Sequence, residues 1–426
     1  MILIGLLLLV LALLGAPLFA VIAAAALLGF WHSGIDQSVV AIEIYRVAEM
    51  PILIAIPLFT FAGYLLGESQ APRRLVRMTN ALIGWMPGGL AVVALVVSAL
   101  FTAFTGASGV TIVALGALLY PALREAGYSE RFSLGLITVS GSLGLLFAPS
   151  LPLILYGVIA QQMDIGQSVT IDDLFLAGIL PGILMLVLLS TWGLWENRAR
   201  RLPLTPFSLR ALGSAVRESI WEIPLPLLVL GGIYSGAFAV SEAAAVTAMY
   251  VLIVEVFIHR EIKLKQLARI MRDSMIMVGS ILMILGVSLA STNYLIDAEI
   301  PTKLFDFVRS HVDNKYTFLL LLNLFLLVLG MMLDIFSALI IMVPLLLPLA
   351  IGYGVHPVHL GIIFLANMQV GYFTPPVGIN LFIASIRFEK PVMEIFRSTL
   401  PFLFLLLLAV LIITYWPALS LGLLSH

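Results

Sequence analysis

Residues 371–378 read Gly-Tyr-Phe-Thr-Pro-Pro-Val-Gly and interrupt an apolar run that extends from 357 to 387. Proline lacks a backbone donor and clashes with the preceding helical turn, and glycine tolerates conformations closed to other residues. A helix cannot pass unbroken through this octapeptide, which predicts an unwound centre between two half-helices. A second interruption of the same kind, GLLFAPSLP at 144–152, lies inside the run 132–161. Each follows a longer apolar stretch that is itself broken in the middle. The first is 88–122, around FTGASGV (104–110); the second is 317–350, around GMMLDIFS (330–337), which holds a lone carboxylate. A hairpin followed by a broken helix, occurring twice, is the pattern from which the rest of the fold is read.

The two units keep register. Pro121 and Pro348, each closing a Leu-Leu-x-Pro, are 227 residues apart, as are Gly144 and Gly371, and Pro149 and Pro376. Leu134-Gly135 matches Leu360-Gly361 with a slip of one residue.

Composition leaves one environment for such a chain. Of 426 residues, 62% are hydrophobic and 11% charged, against about a quarter charged in soluble proteins. The chain is therefore read as an all-α polytopic membrane protein, with room for about ten to fourteen segments. Segments are expected near 51–67, 88–122, 132–161, 173–195, 222–258, 274–294, 317–350, 357–387 and 398–416. The run Met1 to Phe30 is one long helix or two short ones. Gly15-Ala16-Pro17 resembles a signal-peptidase site, but no basic residue precedes the run and it stays apolar afterwards. A net charge of −1 argues against nucleic acid as a partner. With no cysteine, disulfides, thiolate catalysis and Cys-ligated metals are excluded.

Lysine and arginine set the expected topology. Eighteen of the 22 fall in five loops: Arg73, Arg74, Arg77; Arg124, Arg131; Arg198, Arg200, Arg201, Arg210, Arg217; Arg260, Lys263, Lys265, Arg269, Arg272; and Arg387, Lys390, Arg397. These loops are placed inside. Arg46, Lys303, Arg309, Lys315 and the acidic loop 162–172, with Asp164 and Asp172, are placed outside, as is the C-terminus. Both ends of 88–122 then face the cytoplasm, which suits a re-entrant hairpin or two short crossings. The stretch 317–350 is a similar hairpin with its ends outside. If 222–258 crosses twice, the second unit is inverted relative to the first. Inverted repeats with discontinuous helices point to a secondary transporter whose site lies at the repeat interface. The division expected is scaffold over 1–50 and 51–87, a first transport repeat over 88–161, scaffold over 162–316, a second repeat over 317–387, and a C-terminal scaffold helix over 388–426.

Na⁺ is held by unwound carbonyls, half-helix C-termini and hydroxyls. One candidate site comprises Thr105, Gly106 and Ser108 facing Gly144 to Pro149. The other comprises Gly330 and Asp334 facing Gly371 to Pro375, with Thr374. Half-helix N-termini between the tips would attract an anionic substrate, and neither hairpin nor either break contains a lysine or arginine. Asp334 suits either an ion site or a helix cap; Asn380 suits either substrate or unwound backbone, with Ser108 a further substrate candidate. Glu242 is read as a helix cap.

The motifs resemble the large membrane subunit of tripartite ATP-independent periplasmic (TRAP) transporters, the DctM family. They are IPLFTFAGYLL (56–66), SALFTAFTGASGVT (98–111), PSLPLILYG (149–157), GGIYSGAFAVSEAAAV (231–246), GMMLDIFSALIIMVPLLLP (330–348) and GYFTPPVGINLF (371–382). The resemblance implies an elevator-type importer in the inner membrane of a bacterium or archaeon, driven by a Na⁺ gradient. It also implies a periplasmic binding protein that delivers an organic acid, and a small four-helix membrane subunit, which should be a separate polypeptide here. The family's cation positions carry over to Thr105, Ser108, Gly330, Gly371 and Thr374, and its motifs also match at Pro149 and Asp334. Two departures stand out: the first tip usually reads Ser-Gly-Ser-Ser but has Ala107 here, and the first break usually has Pro-Pro but has Ala148-Pro149. Ala107 thus excludes a side-chain ligand at that position.

Three other readings compete. A stand-alone sodium–dicarboxylate symporter would need no binding protein. An intramembrane serine protease is suggested by Gly106-Ala107-Ser108-Gly109 but needs a base near Ser108, and the six histidines lie in loops or at segment ends. His356 and His359, around Pro357, make a weak metal pair. An ABC-type permease is suggested by Glu242-Ala243-Ala244, but that motif has a glycine where Val246 stands.

Overall fold

The computed structural model describes residues 7–8, 10–11, 14–86, 88–163, 169–198 and 207–424. Asp164, Arg200, Arg201, His426 and most of the run before Gly15 lie outside the described residues. Among the described residues the chain is helical, with no strand.

The first helices are α1 (Leu18–His32), α2 (Ser38–Ala48) and, after a 3-10 turn, α3 (Ala55–Glu68). Next come α4 (Ala71–Ile83) and the first unit: α5 (Gly89–Thr105), α6 (Ser108–Glu125), α7 (Glu130–Ser140) and α8 (Leu151–Gln162). A middle group follows, α9 (Ile171–Glu196), α10 (Leu209–Glu218), α11 (Pro224–Tyr234), α12 (Val240–Leu252), α13 (Leu264–Asp297) and α14 (Ile300–Arg309). The second unit is α15 (Lys315–Met332), α16 (Ile335–Gly352), α17 (Pro357–Gly371) and α18 (Ile379–Phe388). The chain closes with α19 (Val392–Tyr415) and the short α20 (Ala418–Leu421).

Eight helical stretches among the described residues are long and apolar enough to cross a membrane. Their outer faces fit lipid: Leu320, Leu321, Leu324, Phe325 and Val328 of α15 are all exposed, and a water-facing helix would not present such a stripe.

Helix bounds recur at one offset. Thr105 and Met332 end the first hairpin helices, Ser108 and Ile335 start the second ones, and Glu125 and Gly352 end them, each pair 227 apart. Packing follows the same rule. Each hairpin's first helix lies on the broken helix of its own unit, while α16 lies on α8 and α18 lies on α6. Ser142 and Gln369, also 227 apart, meet directly: the Ser142 hydroxyl donates to the Gln369 carbonyl at 3.3 Å.

Several expected boundaries move. The first break opens at Gly141, three residues early, and includes a 3-10 turn at Leu143–Leu146. The run 222–258 divides into α11 and α12, the latter prolonged by a π-helical turn, Ile253–Ile258. Three helices, α4, α10 and α14, occupy stretches read only as charged loops. Their apolar residues come in groups of no more than three between polar and charged ones, so a search for long apolar runs passes over them.

Candidate functional site

At the first tip the chain reverses in two residues. Gly106 ends α5 with φ +65°, a left-handed conformation that glycine adopts without penalty, and its N–H donates to the Thr102 carbonyl at 2.8 Å. Ala107 is extended and stands as N-cap of α6 without a side chain able to accept from the helix. At the second tip Leu333 and Asp334 are both extended, and Asp334 Oδ1 accepts from the N–H groups of Phe336 and Ser337, each at 3.0 Å. The matched N-cap positions, 107 and 334, thus differ in the property that governs an anion. The N-terminus of α16, in the second hairpin, is already met by a carboxylate, and that of α6, in the first, is not. Asp334 acts as the cap of α16.

Each tip is held by its facing break. A Cβ at Gly371 would lie 2.5 Å from the Gly330 carbonyl carbon, so these backbones touch. The Gly378 N–H donates to the Met331 carbonyl at 3.1 Å, and the Ile335 N–H donates to the Tyr372 hydroxyl at 2.7 Å. Thr374 Oγ1 donates back to the Val370 carbonyl at 2.8 Å. In the first unit a Cβ at Gly144 would lie 2.5 Å from Ala103 N, and one at Gly106 would meet the Leu151 side chain. The Ala148–Pro149 and Pro375–Pro376 peptides are both cis. Thr105 is fully buried and its hydroxyl has no hydrogen-bond partner. Such an orphan calls for a missing partner, and a cation held by the hydroxyl oxygen would be one.

A cavity of about 340 Å³ opens between the tips. Ser108 and Gly109 of α6, Ile335 to Ser337 of α16, and Ile379 of α18 line it, so three helix N-termini border one space. Among the described residues no lysine, arginine or histidine lines it; Asp334 does. The opposite wall is α13, through Met277, Ser280, Ile281 and Ile284. Sequence reasoning missed this wall, although Gly279-Ser280, a small polar pair in a helix of large side chains, was an available cue.

The Asn380 side chain reaches across to the first unit. It is fully buried, does not line the cavity, and its Oδ1 accepts from Ser108 Oγ at 2.7 Å. Its own N–H donates to the Tyr372 carbonyl at 2.9 Å, which ties the first tip to the second break. The same bond answers the protease reading: Ser108 donates to an amide oxygen, and among the described residues no histidine lines the space beside it. His359 is buried on α17, where Nε2 donates to the Thr414 carbonyl at 3.2 Å and Nδ1 meets Ser420. Glu242 caps α12, accepting from the Ala239 N–H at 2.9 Å.

Comparison with known proteins gives this arrangement its context. Residues 5–419 match the family model of the tripartite ATP-independent periplasmic transporter, DctM component. This chain belongs to the DctM family. Similar relatives include the C4-dicarboxylate TRAP transporter large permease protein DctM of Pseudomonas aeruginosa, 34% identical over 90% of this chain and 88% of the relative. The ectoine TRAP transporter large permease protein TeaC of Halomonas elongata is 31% identical, with 96% of each chain covered. The isethionate TRAP transporter permease protein DctMQ of Oleidesulfovibrio alaskensis is 33% identical over 89% of this chain and 59% of that protein. The Alcanivorax borkumensis YdaH transporter shares the fold, with a TM-score of 0.62 at 16% identity over 91% of this chain and 89% of that one. This DctM-family chain is therefore a multi-pass membrane transport protein and not an enzyme.

Proposed function

We propose that this chain is the permease of a Na⁺-driven TRAP importer for an organic acid, a carboxylate or sulfonate, in a bacterial or archaeal cytoplasmic membrane. The observation that supports it most is the cavity between the tips. It is bordered by helix N-termini, lacks a cationic side chain, and includes an N-terminus, that of α6, with no side-chain cap. Oriented N–H groups and the helix dipole favour an anion there. Na⁺, as co-transported cargo, would be held by Thr105, Gly106, Ser108 and the Gly144–Pro149 break at one tip. Gly330, Gly371 and Thr374 would hold it at the other, with Asp334 shaping that tip as a cap. The two units form an inverted repeat with re-entrant hairpins, and they move as an elevator against the remaining helices. A small membrane subunit and a periplasmic binding protein complete the system.

The energetics suffice. Two Na⁺ with a monovalent acid move one net charge, worth about 2.3 kcal/mol at 100 mV. Each 1.4 kcal/mol or so supports tenfold accumulation.

The test is uptake of radiolabelled organic acids into proteoliposomes holding this chain with a small TRAP subunit. Binding protein and an inward Na⁺ gradient are each supplied or withheld. Uptake needing both is the expected result; uptake with Na⁺ alone would favour the stand-alone symporter. In the same assay Thr105→Val, which removes a hydroxyl without a partner, should leave the melting temperature unchanged. It should also raise the Na⁺ concentration for half-maximal uptake about tenfold, the scale of one lost bond to a charge. An unchanged Na⁺ response would remove Thr105 from the ion site.

A further inference from the structure

Away from the cavity between the tips, buried charge collects around Arg74 on the first turn of α4. Its guanidinium donates to Glu222 Oε1, to Glu261 Oε1, and to both oxygens of Glu255 at 3.2 and 3.3 Å. The side chains of Arg74, Glu222 and Glu255 are 5%, 4% and 1% exposed. Three carboxyl groups therefore share one guanidinium, with the His259 imidazole at the edge of the cluster. Burial alone would raise the Glu261 carboxyl, but Arg74 and the Gln70 N–H hold it below its ordinary range. One acceptor is left over: Glu222 Oε2 is buried without a hydrogen-bond partner, which is costly until a donor reaches it.

Glu222 also stands on the wall of a second cavity, of about 280 Å³, between α3, α4, α5 and the start of α11. Among the described residues it is the only polar one there. Leu66, Phe101 and Leu225 of the wall are buried, whereas Leu100 and Leu227 are 39% and 70% exposed and open the space towards lipid. From Leu100 the slot follows α5 for one turn, about 6 Å, to Phe104, the residue before Thr105. It is thus an apolar slot, entered from the side, with a carboxylate of the charged cluster on its wall.

We infer that this slot binds a single-chain amphiphile with an ammonium head, whose chain fills the apolar space and whose head donates to Glu222 Oε2. Lipid tails are as apolar as the slot, so the chain gains little by entering and the head decides affinity. An ammonium brings donors and no acceptor, and its bond to a carboxylate is charge-assisted. A carboxylate or phosphate head would instead add negative charge beside three carboxyl groups. An alcohol would supply a donor without the charge. The occupant would touch α4, α11 and the hairpin helix α5 together, and so brace the first hairpin from its lipid side.

Photolabelling of the full chain in nanodiscs tests this. The probe is dodecylamine carrying a diazirine on its chain, used near pH 7, where a primary amine is charged; dodecanol with the same diazirine is the comparison. Labelling of α5 is read relative to α15, whose exposed apolar stripe reports ordinary contact with lipid. The ratio should be about tenfold higher for the amine than for the alcohol, the scale of one bond to a charged group. That preference should disappear in Glu222→Gln, and in Leu100→Trp, which fills the mouth and leaves the charged cluster untouched. Equal ratios for amine and alcohol in the wild type overturn the proposal, as does a preference that survives in Glu222→Gln. Should Glu222→Gln fail to fold, Leu100→Trp decides: a preference retained there places the amine outside the slot and overturns the proposal as well.

Discussion

Ala107→Asp is expected to abolish uptake of an anionic solute while making the protein more stable. Ala107 is the N-cap of α6 and offers no acceptor to the first turn. Aspartate is among the best N-caps and should add about 1 kcal/mol to stability. The same carboxylate would occupy the N-terminus that the substrate anion needs. Two like charges about 4 Å apart near a protein surface repel by about 4 kcal/mol, so uptake should fall a hundredfold or more at about 1.4 kcal/mol per decade. The opposite signs keep the result readable: a higher melting temperature with lost uptake cannot be misfolding. Ala107→Ser, which supplies a neutral acceptor, should keep both properties near wild type. Uptake of the anion at the wild-type rate by Ala107→Asp would mean that the substrate does not sit against α6. The second unit displays the arrangement the substitution would create, since Asp334 already caps the matched helix.

Gly371→Ala should be the most damaging methyl group that can be added to the second unit. The new Cβ would stand 2.5 Å from the Gly330 carbonyl carbon and 2.6 Å from its Cα. Both are backbone atoms, so no side-chain rotation relieves the overlap, and the tip must move away from the break. Overpacking of this kind costs about 1–3 kcal/mol. The melting temperature should drop, and Na⁺ should no longer stabilise the chain, because the candidate ligands Gly330 and Gly371 are pushed apart. Gly213→Ala is the control. It lies inside α10 with nothing within 4 Å of a Cβ, and the change should be neutral or stabilising by about 0.5–1 kcal/mol. If Gly371→Ala melts as the wild type does and still responds to Na⁺, the tip and the break do not form a cation site.

The membrane class and the two broken units were legible in the residues alone. A charged fraction of 11% leaves too little polarity for a water-facing surface, and glycine and proline act on their own backbone wherever the chain later travels. The offset of 227 is legible for the same reason: the breaks are local, so their spacing survives in the one-dimensional record. Asp334 stayed ambiguous, because the residue that begins a helix looks the same in sequence whether it binds an ion or caps its own N–H groups; the capping contacts, with Oδ1 3.0 Å from two amides, exist only in the folded chain. Asn380 turns from the cavity towards Ser108, 272 positions away, a pairing that no local pattern encodes. The α13 wall of the cavity and the cluster joining Arg74 to Glu222, Glu255 and Glu261 are of the same kind. Each depends on which helix faces end up against each other, and a helical period states that a face exists without naming its partner.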